Sequence, residues 1–409
     1  MKAIALITII FIFSHAVHAQ RLCGTEAYIR SLPNTVESSP SSPTGPARDT
    51  VPNEVLVIPV VIHVLYNPSE QNISTAQILS QLKVLNEDFR RRNGDANNTP
   101  AAFKSLAADA GITFCLAQVD PSGRSTSGII RKSTTRTFFE MNDEMKFSKN
   151  GGDDAWDRSK YLNIWVCRML SRSLGYATVP GSAADKDGIV INFDVFGTTG
   201  IVRSPFNKGR TTTHEVAHWL GLKHIWGDDS CGNDEVDDTP KQESYNFYCP
   251  VFPHRSSCSP NANGDMFMNF MDFTDDACMN LFTNGQKNKM RGSFALSKGR
   301  NSFLNSFACD SSLAVGGPLP DDITVVKRSI SITVYPNPVV EVVRFLVNDS
   351  NSIAGCNVIL FNAQGLKIYQ QTMHSNTDVL KIKQLPAGVY FITLNKGELK
   401  MSFRIIKAR

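Results

Sequence analysis

Three histidines spaced four and then six residues apart constrain this chain more than any other feature. They lie in His214-Glu215-Val216-Ala217-His218-Trp219-Leu220-Gly221-Leu222-Lys223-His224. Side chains four apart on a helix project from one face, one turn apart, so His214 and His218 can share one metal ion. A third ligand six residues further on points away if the helix continues. Gly221 removes the difficulty, because glycine adopts a positive φ, ends the helix and lets the chain swing His224 back toward the same ion. Glu215 sits beside the first ligand, placed to meet a water on the metal rather than the metal itself, as a general base must be. Three neutral imidazoles leave a fourth position open, which marks a catalytic rather than a structural zinc site. Zinc lowers the pKa of a water there from about 15.7 to roughly 7 and polarises a scissile carbonyl. A lone histidine on a helix is more often a hydrogen-bonded core residue. Here five fixed residue types agree along one short string, and chance agreement is a poor explanation.

A chain of 409 residues is too long for one ordinary core, so two domains plus targeting segments are expected. With 42% hydrophobic and 20% charged residues it can bury a normal core. The net charge of +4 is small, and Lys and Arg are scattered, which excludes nucleic acid as a partner class. Lys2, the apolar run Ala3 to Phe13 and Val17-His18-Ala19 make residues 1–19 a signal peptide. That run falls short of the roughly 20 residues that cross a bilayer, and no later segment is long or apolar enough. The mature protein is therefore expected in an oxidising compartment, where its nine cysteines can pair.

Residues 20–50 hold Cys23 and a Ser-, Pro- and Thr-rich stretch that cannot form a core, and they are assigned as a propeptide. Residues 51–308 form the main domain. Val55 to Leu65 reads as a buried strand with Pro59 at a bulge or edge. Ser74 and Gln77 make a capping box that opens a helix over 75–91. Strands at Ile112 to Val119, Tyr161 to Cys167 and Gly188 to Phe193 complete a twisted mixed sheet backed by helices, an α/β (α+β) architecture. Periodicity disappears from Gly227 to about Phe282, so an irregular subdomain held by crosslinks is expected, and a helix returns from Gly285 to Phe307. Residues 309–328 read as a linker, and 329–409 as a small antiparallel β-sandwich of five strands.

The 214–224 string resembles the signature of the metzincin clan of metallopeptidases, and Asn269-Phe270-Met271-Asp272 resembles the clan's methionine turn, with Met271 as the floor of the site. Trp219 to Leu222, Val236-Asp237-Asp238-Thr239-Pro240 and Asp275-Asp276-Ala277-Cys278-Met279 look most like the pappalysin family, particularly its bacterial members, over about residues 23–308. The resemblance implies a metzincin fold and a secreted zinc endopeptidase, made as a zymogen, that acts on proteins or peptides with Glu215 as base. The family's tyrosine two residues after the turn methionine is here Phe273, which cannot donate a hydrogen bond. Loss of one such donor usually costs about 3–4 kcal/mol of transition-state stabilisation.

The resemblance makes Asp187 to Phe196 the edge strand that pairs with substrate. Family members that prefer basic residues carry an acidic side chain just after the cysteine matching Cys278. Met279 stands there, so an apolar preference just after the scissile bond is expected. Arg21-Leu22-Cys23-Gly24-Thr25 resembles the family's cysteine switch, with the Cys23 thiolate as fourth zinc ligand in the latent form; an ordinary disulfide or a free thiol is the alternative. Four cysteines in the irregular segment allow three connectivities, and the family pattern implies Cys231 with Cys258 and Cys249 with Cys278. Cys115 and Cys167 either pair or stay buried as small apolar groups, while Cys309 and Cys356 have no assigned partner. Asp234, Asp237, Asp238 and Thr239 offer calcium the hard oxygens it needs, and the resemblance favours calcium over a solvated acidic loop. His63 and His254 have no partners at ligand spacing and are taken as structural.

Tyr335-Pro336-Asn337-Pro338, Leu385-Pro386-Ala387-Gly388-Val389-Tyr390 and Phe403 to Lys407 resemble the C-terminal sorting domain of type IX secretion cargo. It implies recognition by the secretion machinery and export through the outer membrane, to the medium or the cell surface, as a monomer. Two rival functions stand beside the peptidase: an adhesin whose zinc site is structural, and a metallohydrolase of non-peptide amides.

Overall fold

The structure, a computed structural model, describes residues 20–32, 55–171, 173–259, 263–296, 303, 309, 332–347, 353–363, 365–375, 377–396 and 399–408. The signal peptide assigned to 1–19 lies outside these residues, as does most of the linker assigned to 309–328.

The main domain is built on β1 (Leu56–Tyr66), an eleven-residue run whose β-branched side chains are buried on both faces, as a central strand requires. It pairs in parallel with β2 (Ile112–Leu116) and β3 (Ile129–Ser133), and also with β4 (Leu162–Cys167). β6 (Ile189–Asn192) pairs in parallel with β4, and β5 (Gly175–Ala177) closes the sheet antiparallel to β6. The order is β2-β1-β4-β6-β5, with β3 beside β1. Pro59 sits inside β1, where its missing N–H is harmless because the ladder to β4 begins only at Val60. The strand expected to form the edge, Asp187 to Phe196, is interior: β6 has a neighbour on each side, and the edge is the three-residue β5.

α1 (Thr25–Ser31) belongs to the N-terminal segment and packs on β5. α2 (Thr75–Asp88) starts where the Ser74 side chain accepts from the Gln77 N–H at 3.1 Å, and it lays Ile78 and Leu85 on the sheet. α3 (Arg210–Trp219) is buried along its whole length against α2, β5 and β6. α4 (Asn284–Leu296) follows the irregular stretch. No described helix is long and apolar enough to cross a membrane.

Disulfides join Cys231 to Cys258 and Cys249 to Cys278, the pairs that the resemblance implied. Cys115 does not pair with Cys167. It bonds to Cys309, 194 residues away, while Cys167 and Cys356 are free and buried. The Cys115–Cys309 bridge ties β2 to the chain beyond α4. Replacing both cysteines by serine is expected to cost about 2–5 kcal/mol, read as a lower midpoint in urea at unchanged slope.

The C-terminal region is all-β. β7 (Ile332–Tyr335), β8 (Val342–Val347) and β11 (Val379–Lys381) form one sheet. β9 (Asn357–Asn362), β10 (Lys367–Thr372), β12 (Gly388–Lys396) and β13 (Leu399–Lys407) form the other. Their inner faces share a core that includes Val343, Phe345, Leu360, Ile392 and Ile405. Five of these seven strands match sequence expectations. β10 escaped because nearly all of its side chains are exposed, so no apolar alternation marks it.

Candidate active site

α3 carries His214, Glu215 and His218 and stops at Leu220; Gly221 follows at φ +95 and returns the chain to His224. All three imidazoles are buried. His218 Nε2 lies 3.1 Å from His214 Nε2 and 3.0 Å from His224 Nε2. The opposite nitrogens all face oxygens. His214 Nδ1 is 2.7 Å from the Phe270 carbonyl, His218 Nδ1 is 2.8 Å from the Leu222 carbonyl, and His224 Nδ1 donates to the Asp228 carboxylate. A proton on each Nδ1 leaves a lone pair on each Nε2, and three lone pairs this close repel unless a cation lies among them. Tetrahedral bonds of about 2.0–2.1 Å place such nitrogens roughly 3.4 Å apart, so the donor set suits zinc. Burial, then the other two imidazoles, hold His214 well below the usual histidine range, and burial pushes His218 down to about 3. Both are neutral, as ligands must be.

The segment from Asn269 to Phe273 lies under the cluster. Asn269 and Gln286 exchange two side-chain hydrogen bonds, and Asn269 Oδ1 accepts from the Met271 N–H at 2.9 Å, which fixes the turn that aims the Phe270 carbonyl at His214. Met271 is fully buried. The Phe273 ring, which has no donor, packs at 4.9 Å from His224 and 5.4 Å from Tyr245.

Glu215 is fully buried, and burial pushes its carboxyl up to about 7 against the hydrogen bonds from Thr25 and Cys23. Thr25 Oγ1 donates to Glu215 Oε2 at 2.8 Å, and Cys23 Sγ lies 3.5 Å from the same oxygen. Cys23 and the three histidines offer ligand atoms within 4.8 Å of one another. The N-terminal segment also runs along β5: the Gly24 N–H donates to the Gly175 carbonyl at 2.9 Å, and the Leu174 N–H to the Leu22 carbonyl at 2.8 Å. Gly175 lets Glu215 lie close under β5, since a Cβ there would come within 2.8 Å of the Val190 oxygen and 3.0 Å of Glu215 Cγ.

Two residues upstream of Cys23, Arg21 is buried with its guanidinium on the Asp276 carboxylate. Its Nε donates to the Thr274 carbonyl at 3.0 Å and its Nη1 to Thr211 Oγ1 at 3.1 Å, above the Phe206 ring. Met279, expected to line the pocket, is instead fully buried in the main core, with its carbonyl accepting from Arg210 at 2.8 Å. Asp276, which holds Arg21, and Asp228 are further residues to which the sequence reading gave no role, although the place of Asp228 four residues after His224 was a signal.

Two carboxylates of the acidic loop take part in hydrogen bonds. Asp238 accepts from Thr283 Oγ1 at 2.6 Å and the Gly285 N–H at 2.8 Å, at the start of α4. Asp234 accepts from the Val236 N–H at 3.1 Å and Thr239 Oγ1 at 2.8 Å. Among the described residues, Asp234, Asp237 and Asp238 are not gathered at metal-ligand spacing. His63 is buried between Asp153 and Asn163, 2.7 Å and 3.1 Å away, far in sequence from the site residues, and is structural.

Comparison with known proteins agrees with this architecture. Residues 146–295 match the family model described as pregnancy-associated plasma protein-A, and 333–408 match the secretion system C-terminal sorting domain. Extracellular metalloprotease 1 of Coccidioides posadasii is 32% identical over 232 residues, covering 53% of this chain and 68% of that protein. An extracellular metalloprotease of Pyricularia oryzae is 32% identical over 256 residues, or 59% and 75% of the two chains. Mature mirolysin of Tannerella forsythia, solved with a cleaved peptide, is 50% identical, covers 65% of this chain and 100% of that one, and superposes with a TM-score of 0.62. A mutant of Tannerella forsythia promirolysin is 51% identical over 63% of this chain and 86% of that one, at a TM-score of 0.61. The chain belongs to the pappalysin family of metallopeptidases, as a secreted enzyme with a type IX sorting domain at its C-terminal end.

Proposed function

We propose that the chain is a zinc endopeptidase synthesised as a zymogen, with His214, His218 and His224 as metal ligands and Glu215 as general base. The carrying observation is the convergence of three Nε2 lone pairs beside a buried carboxylate. Zinc, when bound, acidifies water and polarises the scissile carbonyl. Glu215 accepts the proton of the attacking water and returns it to the leaving nitrogen. The Phe270 carbonyl, the Leu222 carbonyl and Asp228 fix the imidazole tautomers. The Gly175 edge pairs with the substrate backbone, leaving selectivity to the pockets.

Latency follows from the same contacts. Cys23 is the fourth ligand, Thr25 ties up the base, and Leu22 to Gly24 occupy the substrate edge. Cleavage within the segment after α1 then frees the cleft. Cys23→Ala is expected to raise the activity of the uncleaved chain roughly tenfold or more, since each 1.4 kcal/mol of lost ligation is about a decade. Activity no higher than the parent precursor's argues that the thiol plays no part in latency.

Arg21 on Asp276 supports a preference for a basic residue just after the scissile bond, in place of the apolar one drawn from Met279. The function is tested by digesting casein or gelatin with the matured chain. Loss of cleavage with a zinc chelator and recovery on adding zinc are expected, and cleavage indifferent to chelation rejects the reading. Calcium in the 234–239 loop, implied by the resemblance, is tested separately. A calcium-selective chelator is expected to lower the melting temperature of the matured chain, and an unchanged value would reject calcium in this loop.

A further inference from the structure

The N-terminal segment has an anchor that neither the ligation nor the Asp276 pocket explains. α1 buries Tyr28, whose hydroxyl donates to Asp143 Oδ2 at 2.8 Å. The other oxygen of that carboxylate accepts from the Tyr176 hydroxyl at 3.0 Å and pairs with Lys146 at 2.9 Å, while Lys186 lies 3.2 Å from Oδ2. Lys146 is fully buried, its ammonium 5.3 Å from the Tyr28 ring centre, 5.0 Å from Tyr176 and 5.4 Å from Trp165. Asp143 holds this position at φ +67, a left-handed conformation that a non-glycine residue keeps only when its surroundings impose it. Burial alone would raise the Asp143 carboxyl, but Lys146, Tyr28 and Lys186 together outweigh it and hold the group below the usual carboxylate range. Burial and Asp143 raise the Tyr28 phenol, so it stays a donor.

Asp143, Lys146, Trp165 and Tyr176 around the Tyr28 ring all belong to the catalytic domain. Tyr176 lies on β5, the edge that the latent segment covers, next to Gly175, which bridges Cys23. The chain runs from Arg21 on Asp276, through Cys23 at the histidines, to Tyr28 on Asp143, so the two anchors flank the metal-binding cluster. We propose that release of the N-terminal segment uncovers a phenol-binding subsite, formed by Asp143, Lys146 and Tyr176 on the face of β5 turned away from α3, which takes a tyrosine side chain of a peptide substrate that reaches past the metal-binding cluster from Asp276. The proposal rests on the peptidase reading. A phenylalanine fits the same walls but leaves Asp143 Oδ2 with Lys186 alone, one hydrogen bond short, so the hydroxyl carries the selectivity.

The direct test leaves the protein unaltered. A fluorescent peptide with the sequence of residues 20–32 is titrated onto the matured chain beside its Tyr28→Phe and Tyr28→Ala versions. The phenylalanine version is expected to bind about tenfold more weakly, as befits one hydrogen bond to a charged group, and the alanine version more weakly still. Equal binding of the tyrosine and phenylalanine peptides overturns the subsite. Matched peptide substrates with tyrosine or phenylalanine on the side away from the basic residue give a second reading. Tyrosine is expected to raise kcat/KM about tenfold, and Asp143→Asn is expected to erase the difference. Cleavage with no preference for tyrosine sinks the subsite while sparing the peptidase. Discrimination between the peptides without any cleavage sinks the peptidase and leaves the phenol pocket standing.

Discussion

Glu215→Gln is expected to lower kcat on peptide substrates by about 10²–10⁴-fold, the usual contribution of a positioned general base, with KM and zinc content little changed. The exchange keeps the shape of the side chain and one oxygen that can still accept from Thr25 Oγ1, now 2.8 Å from Glu215 Oε2. It removes the capacity to take a proton from water, while the ligand cluster of His214, His218 and His224 is untouched. The variant should fold, bind metal and remain uncleaved after α1 if the chain processes itself, which intact mass spectrometry reads directly. Full activity in Glu215→Gln would remove the base from the mechanism. Loss of zinc along with activity would instead assign the carboxylate a structural role in holding the metal.

The parts of this site legible in the sequence are those fixed by local geometry. Spacing of four on a helix and a glycine after the second histidine were enough to foresee that His214, His218 and His224 meet, and Gly221 does take a positive φ. Parts that depend on distant chain segments were not legible without the family resemblance. Arg21 and Asp276 are 255 residues apart, and no periodicity joins them. β5 has three residues, too few to show an alternating pattern, so the longer apolar run at β6 was taken for the edge. The choice of Met279 as pocket residue met a related difficulty. Residues 276 and 279 lie in one irregular segment, where sequence offers no rule for which side chain turns inward, and Met279 turns into the core. The tie from Asp238 to the start of α4 spans 45 residues and is equally invisible to local spacing.

Asp276→Asn is expected to cut kcat/KM for substrates with arginine after the scissile bond by about 10²–10³-fold, and to change apolar substrates little. The reason lies in the burial of the pair: Arg21 and Asp276 are both almost wholly enclosed, with the Lys208 N–H 2.7 Å from the second carboxylate oxygen. Removing one member of such a pair typically costs about 3–5 kcal/mol, because the remaining charge is left desolvated and unpaired. A substrate arginine entering the same pocket meets the same balance, so the loss falls on binding and transition state together. The latent chain offers an internal control. Arg21 in the Asp276→Asn precursor loses its partner too, so the N-terminal segment should be held less tightly and become a better target for added trypsin, as no general loss of activity would produce. Unchanged arginine selectivity together with an unchanged precursor would show that Arg21 is only a structural anchor and that the basic preference has another source. Loss of selectivity with a loosened precursor would mean that the propeptide keeps the enzyme silent by placing in the pocket the kind of side chain the enzyme cuts before.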